Sequence, residues 1–372
     1  MSAASLSAWA RRQTQLTFLA SGTEFRLGRA EDCPLPPAAL AAVSGDEPWV
    51  RACLDDGLTA RVYRLRLAGR DWALKVARRP CRVQNPDGQT SFLNELQRRR
   101  DFARLMRTPE QAERLAGIVP TQYASLQQGI ILSPWVEGRR IERWDERQLT
   151  ELFDLLIALL LAGLFEWDLA AGNTLDDGRI RLFDFGYLYP FDPLRQYNSD
   201  GLASPGFHVA ERFETRQLFA CLLRLERESE AQALADFELE KRIALDAYQR
   251  LQQELAARGA SQGVLDWLDD IMRRWRAALT GNLGALYLQE AWRSHWLDVK
   301  DDLSGQSCTP LTLQRLAWLR DKATTQHAEL LAGGALANER RPDREALLDD
   351  LRQAEAQAIR WQLRDTRSAE GV

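Results

Sequence analysis

Residues 168–186 read Asp-Leu-Ala-Ala-Gly-Asn-Thr-Leu-Asp-Asp-Gly-Arg-Ile-Arg-Leu-Phe-Asp-Phe-Gly, and this stretch decides the fold. Asp168 is followed five positions later by Asn173, and Asp184 opens an Asp-Phe-Gly turn. One carboxylate able to orient a hydroxyl, plus an amide and a second carboxylate offering hard oxygens to magnesium, form a kit for handling a nucleoside triphosphate.

Working upstream, such chemistry also needs a cation on the phosphates and a partner to hold that cation. The alternation over 60–77, broken at Gly69-Arg70-Asp71, predicts an antiparallel hairpin. Its second strand, Trp72-Ala-Leu-Lys-Val-Ala77, carries Lys75 near its end. A helix predicted over 92–106 carries Glu95, at a workable distance to pair with Lys75. The loop Ser133-Pro134-Trp135-Val136-Glu137-Gly138 suits an adenine: the Pro134 carbonyl accepts from the amino group, and the Val136 N–H donates to the ring. The chain has four lysines against a background of arginine, so a lysine at 75 stands out.

On these residues the chain resembles the protein-kinase-like superfamily through roughly residues 50–215. Ala73-Leu74-Lys75 is similar to the family's Val-Ala-Ile-Lys strand, and 168–173 to its catalytic loop. Within that superfamily, 168–186 resembles atypical bacterial kinases of the aminoglycoside-phosphotransferase-like and lipopolysaccharide-kinase-like kinds, where Gly-Asn and Asp-Gly-Arg precede the metal aspartate. The resemblance implies an α+β, two-lobed fold, with an antiparallel-sheet N-lobe and a mainly helical C-lobe extended by extra C-terminal helices. It implies Lys75 on the α/β-phosphates, Glu95 orienting it, Asp168 as base or hydroxyl positioner, and Asn173 and Asp184 on magnesium. Gly57 and Val62 would flank the nucleotide, with Pro134 and Val136 at the hinge, and ATP and Mg as cofactors.

Three departures separate it from an ordinary protein kinase. Glu166-Trp167 replaces the usual His-Arg before the catalytic aspartate, removing the partner of a phosphorylated activation loop. The glycine loop Asp55-Asp56-Gly57-Leu58-Thr59-Ala60-Arg61-Val62 keeps only its middle glycine, so Thr59 or Arg61 would assist in holding phosphates. No Ala-Pro-Glu follows Gly186, which favours a small molecule, glycan or lipid head group over a protein as acceptor.

Composition sets the bounds. A net charge of −4 gives no reason to expect nucleic-acid binding, and the short basic runs Arg98-Arg99-Arg100 and Arg139-Arg140 read as a solvated helix face and a loop beside the cleft. Arg139 and Arg140 are also placed to meet an anionic substrate. Five scattered cysteines without a CxxC pair speak against a disulfide framework or zinc site and for a reducing, cytoplasmic setting. His208, His295 and His327 lack metal spacing and read as solvated or capping residues. The apolar segment 152–165, interrupted by Asp154, falls short of the roughly 20 residues a bilayer needs and reads as a core helix. The start lacks the apolar run of a signal peptide. Arginine-for-lysine usage points to a GC-rich, bacterial source.

The expected organisation is an N-terminal extension, partly strand, at 1–50, with runs at Leu16–Leu19 and Glu24–Leu27. An N-lobe follows at 51–136, a catalytic part of the C-lobe at 137–225, a helical region at 226–364 and a tail at 365–372. Thr108-Pro109-Glu110-Gln111 reads as a capped helix start, with Gly117 closing that helix. The tryptophans at 267, 275, 292, 296 and 318 read as helical core. Two alternatives stand beside a phosphotransferase: a nucleotide-binding pseudokinase module that engages a protein partner through its C-terminal helices, and a kinase-fold nucleotidyltransferase.

Overall fold

The structure, a computed structural model, describes residues 8–363 except 56, 84, 338, 340 and 341. The expected tail at 365–372 and Asp56 of the glycine loop lie outside the described residues. The chain divides into two units, Met1–Arg212 with Asp246–Asp270, and Phe213–Leu245 with Ile271–Val372.

The first unit begins with α1 (Ala8–Ala20), β1 (Arg26–Leu27), α2 (Pro37–Ala41), β2 (Val50–Leu54), β3 (Ala60–Leu67) and β4 (Arg70–Ala77). It continues with α3 (Pro86–Leu105), α4 (Pro109–Arg114), β5 (Tyr123–Ser125), β6 (Ile130–Pro134) and α5 (Glu146–Leu161). The short strands β7 (Leu164–Glu166), β8 (Thr174–Asp176), β9 (Ile180–Leu182) and β10 (Leu188–Pro190) precede α6 (Val209–Phe213). Among the described residues six strands form one antiparallel sheet in the order β1-β5-β6-β4-β3-β2.

The β3–β4 hairpin forms as expected, in full register from Ala60↔Ala77 to Leu67↔Arg70. Its turn is tighter than the sequence suggested: Ala68 and Gly69 both have positive φ (50° and 75°), the two-residue geometry whose twist matches that of the flanking strands. Strand alternation then sorts the side chains. Tyr63, Leu65, Trp72, Leu74, Ile130 and Leu132 bury one face. Ile131 and Ala124 face the other way, against Leu93 and Leu96 of α3. Lys75 is odd-numbered on β4 and pairs with Ile131, so it stands on the α3 face.

The N-terminal extension differs from expectation. Leu16–Leu19 lies within α1, not a strand, while Glu24–Leu27 contains the strand β1, which adds Arg26 opposite Ser125 on β5. The apolar residues that pack are Phe18 and Leu19, beside a buried Gln15, a helical spacing of three and four that a short window conceals. Helix α4 starts at Thr108 as read, its hydroxyl accepting from the Gln111 N–H, but it ends at Arg114, before Gly117.

Helix α5 starts on a capping box formed by Asp145 and Gln148, and it buries Leu149, Leu152, Phe153 and Leu156. It stops at Gly163, whose φ of 75° and 2.9 Å approach to the Phe191 carbonyl at the Cβ position leave no room for a side chain. β7 follows at once, antiparallel to β10 through Phe165↔Tyr189 and Glu166↔Leu188. β8 pairs with β9. These hairpin pairings fix the loop carrying Asp168 after β7 and the loop carrying Asp184 after β9.

The remaining helices are α7 (Phe219–Glu228), α8 (Glu230–Ala257), α9 (Gln262–Thr280), α10 (Leu283–Gly305), α11 (Pro310–Thr325), α12 (His327–Ala332) and α13 (Arg344–Arg360). Residues 246–257 of α8 and 262–270 of α9 fall in the first unit. In the second unit, Trp275 and Trp292 are core residues, and α7 is preceded by a π-helical turn, Glu214–Leu218. Lys241 is fully buried there, with its ammonium 2.6 Å from Glu214, 2.5 Å from Glu290 and 3.5 Å from Glu240. His295 is buried against Trp318 and is not solvated, whereas in the first unit the buried His208 has the capping role the sequence offered: its Nδ1 accepts from the Glu211 N–H at 3.3 Å at the start of α6 and sits 2.8 Å from the Tyr248 hydroxyl. Among the described residues no disulfide joins the five cysteines, and no helix is long and apolar enough to cross a membrane.

Candidate active site

Lys75 and Glu95 meet because β4 turns its odd-numbered side chains toward α3. The Lys75 ammonium donates to Glu95 Oε2 at 2.6 Å and to Asp184 Oδ2 at 2.8 Å. Burial alone would lower the ammonium pKa, but the two carboxylates outweigh it and hold Lys75 above its ordinary value. Burial likewise pushes the Asp184 carboxyl up, and Lys75 reverses this, holding it below the usual carboxylate range. The Gly186 N–H reaches the second oxygen, Asp184 Oδ1, at 3.2 Å.

Glu95 is 1% exposed, and its other oxygen is claimed by Arg99, which donates at 3.0 and 2.7 Å. The same guanidinium reaches the Phe183 carbonyl at 2.6 Å and the Thr121 hydroxyl at 2.8 Å. Arg99 therefore ties Glu95 to the residue before Asp184. Reading 98–100 as a solvated face is corrected here: Arg98 and Arg99 are buried, and Arg100 lies over Phe25. The i,i+4 spacing of Glu95 and Arg99 was the available signal.

Asp168 and Asn173 lie together in the β7–β8 connection. The Asn173 amide donates to the Asp168 carbonyl at 2.9 Å and lies 3.4 Å from its carboxylate, which leaves the amide oxygen of Asn173 for a cation. Glu166 is a residue the sequence reading did not use. It is buried at the end of β7 and accepts from the Asp168 N–H at 2.8 Å. Burial, with the charges of Asp168 and Asp184 nearby, pushes its carboxyl well above the usual range. Trp167, in the place of the usual arginine, donates its indole N–H to the Ser199 hydroxyl at 2.8 Å.

At the expected hinge, Trp135 donates its N–H to the Asp71 carbonyl at 3.1 Å. Hydrogen-bonded pairs alternate along β4–β6, so Trp72↔Pro134 is a non-bonded pair and the Pro134 carbonyl faces away from β4. That position also tolerates a residue without an N–H. Val136 follows, half-buried.

The expected phosphate loop joins β2 to β3. Arg78 donates to the carbonyls of Gly57 and Asp55, both at 2.7 Å, and Arg61 pairs with the Asp55 carboxylate at 2.6 Å. A Cβ at Gly57 would stand 2.5 Å from the Ala60 carbonyl, so the turn requires glycine. Val62 pairs across the hairpin with Lys75. Arg61, offered as a phosphate contact, is paired with Asp55. The structure thus brings Lys75, Glu95 and Asp184 into direct contact, and Asp168 with Asn173. Gly57, Val62, Pro134 and Val136 are linked to that centre through the sheet.

The donor set fits magnesium in kind: Asp184 and Asn173 offer hard oxygens. Among the described residues no group of three or more His, Cys, Asp or Glu side chains is arranged for a metal. Any cation here would be completed by phosphate and water oxygens.

The antiparallel sheet, the helix packed on it and the mainly helical remainder define an α+β fold. No family model and no curated protein matches the sequence. Among solved structures, the chain is similar to vaccinia related kinase 3, at 14% identity and a TM-score of 0.29, over 39% of this chain and 48% of that one. It therefore spans about half the length of that kinase. It is also similar to the PknI kinase domain of Mycobacterium tuberculosis, at 17% identity and a TM-score of 0.32, over 63% of this chain and 98% of that one.

Proposed function

We propose that the chain is an ATP- and magnesium-dependent phosphotransferase that transfers the γ-phosphoryl group to a hydroxyl acceptor. The observation that carries this is the buried Lys75 ammonium bridging Glu95 and Asp184. Lys75 holds the α/β-phosphates, Glu95 with Arg99 behind it aims the lysine, and Pro134 and Val136 receive the adenine. Asp184 and Asn173 would hold magnesium, which would supply neutralising charge to the phosphates when bound. Asp168 accepts the proton of the acceptor hydroxyl as its oxygen bonds to the γ-phosphorus and the bond to the β–γ bridging oxygen breaks, releasing ADP. Glu166 and Asn173 hold the Asp168 backbone in place for this.

The segment after Gly186 supports a small-molecule, glycan or lipid head-group acceptor. Leu188, Tyr189 and Phe191 are buried and β10 is paired to β7, so this stretch is occupied with packing and is not laid out as a peptide platform. Arginine-for-lysine usage and the Gly-Asn and Asp-Gly-Arg spacing of 168–186 support a bacterial source and an atypical-kinase subtype.

A second reading, a nucleotide-binding pseudokinase, draws on the direct Lys75–Asp184 pair, which occupies the carboxylate a metal would use. One experiment separates them. Mg-ATP at about 100 times its Kd should stabilise the protein by about 2.7 kcal/mol in a thermal melt. ADP and a product heavier by one phosphate should accumulate when candidate hydroxyl acceptors are supplied. Stabilisation without ADP would favour the pseudokinase, and a product carrying AMP would show nucleotidyl transfer.

A further inference from the structure

Helix α1 is absent from the chemistry above, yet one of its faces is committed to the loop that carries Asp184. Arg12 grips the Asp87 carboxylate with two donors, one at 2.8 Å, in the first turn of α3. Arg11 lies 3.6 Å over the ring of Tyr189 on β10. One turn on, the buried Gln15 amide donates to Asn94 Oδ1 at 3.2 Å and to Gln97 Oε1 at 3.3 Å. Asn94 is fully buried on α3 and directs its own amide NH2 at three carbonyls: Phe185 (3.3 Å), Gly186 (3.0 Å) and Leu188 (2.9 Å).

The orientation of Asn94 is what matters. An asparagine amide is nearly symmetric in shape, and the opposite orientation would aim its oxygen at three carbonyl oxygens. The Gln15 N–H on Asn94 Oδ1 favours the productive orientation. α3 also lies directly on this loop, since a Cβ at Gly186 would be 3.3 Å from Ser91 Cβ.

We propose that α1 is a built-in positioning element for the Asp184 loop, with Gln15 orienting Asn94 and Arg12 anchoring the helix to Asp87. It does this without a phosphorylated segment, in a chain whose Trp167 offers no charge to receive one. The inference deepens the phosphotransferase reading and rests on it for its consequence, although its geometry does not.

The test compares Gln15→Glu, Gln15→Met, Arg12→Ala and Arg12→Lys with the wild type. Amide hydrogen exchange over 184–190 is read alongside the Kd for Mn2+ with a non-hydrolysable ATP analogue. Gln15→Glu and Gln15→Met both lack the donor. Each should speed exchange over 184–190 by about tenfold, the equivalent of one net hydrogen bond, and weaken Mn2+ binding to a similar degree. Arg12→Ala should act in the same direction, with Arg12→Lys recovering most of the loss. Unchanged exchange over 184–190 in folded Gln15 and Arg12 variants would overturn the inference. Faster exchange in a protein that binds no nucleotide would uphold the positioning role while refuting the phosphotransferase reading, so the two failures remain distinct.

Discussion

Replacing Asp184 with alanine should lower Mg-ATP turnover by about 10³-fold while leaving the protein folded. Lys75 keeps Glu95 at 2.6 Å when Asp184 is removed, and Glu95 keeps Arg99 on its other oxygen. No buried charge is stranded, and the side chain itself is half-buried. The melting curve should therefore shift by no more than about 1 kcal/mol. Lys75→Met is the informative contrast, because it removes the cation between two carboxylates and should reduce both turnover and stability. Turnover within tenfold of wild type in Asp184→Ala would remove Asp184 from the proposed metal site.

The largest effect on stability is expected in the second unit. Lys241→Met should cost about 3–5 kcal/mol in a urea titration, because it leaves carboxylates buried without their cation. Lys241 is 0% exposed and serves Glu214, Glu240 and Glu290 at once, and among the described residues neither Glu240 oxygen has a hydrogen-bond partner. The same cluster predicts a pH dependence. Burial pushes Glu240 up to about 7, with Lys241 opposing and Glu290 reinforcing. A carboxyl whose folded pKa is raised contributes stability in full below its unfolded value. That contribution is lost as pH rises from about 4.5 through about 7. Glu240→Gln should flatten this decline, making the variant relatively more stable at pH 8 than at pH 5; parallel curves for variant and wild type would count against it.

The parts of this architecture legible in the sequence were those with a local signature. The β3–β4 hairpin announced itself through alternation and Gly69, and α4 through Thr108 and Pro109. Lys75, Glu95 and Asp184 could be named because each sits in a short motif, although 109 residues separate the first from the last. What escaped was polar and long-range. Gln15 and Asn94 are 79 residues apart and look like ordinary helix-surface amides. Arg99 was hidden in a run of three arginines that suggested solvent, although its spacing from Glu95 was visible. Glu166 was noted as a departure but not as a hydrogen-bond acceptor for Asp168. Leu16–Leu19 invited a strand reading because four residues cannot reveal a helical period, whereas thirteen can.

The Lys75–Asp184 contact has a bearing on the order in which ligands arrive. In the free protein each of these charges is the other's counter-ion. ATP arriving alone would draw the lysine toward its phosphates and leave a partly buried carboxylate bare. ATP arriving with a divalent cation exchanges partners instead: lysine for phosphate, carboxylate for cation, with no uncompensated charge at either side. On the proposed phosphotransferase reading the contact would make nucleotide and metal obligatory companions, and affinity for ATP in the presence of a chelator should fall well below affinity for the complex.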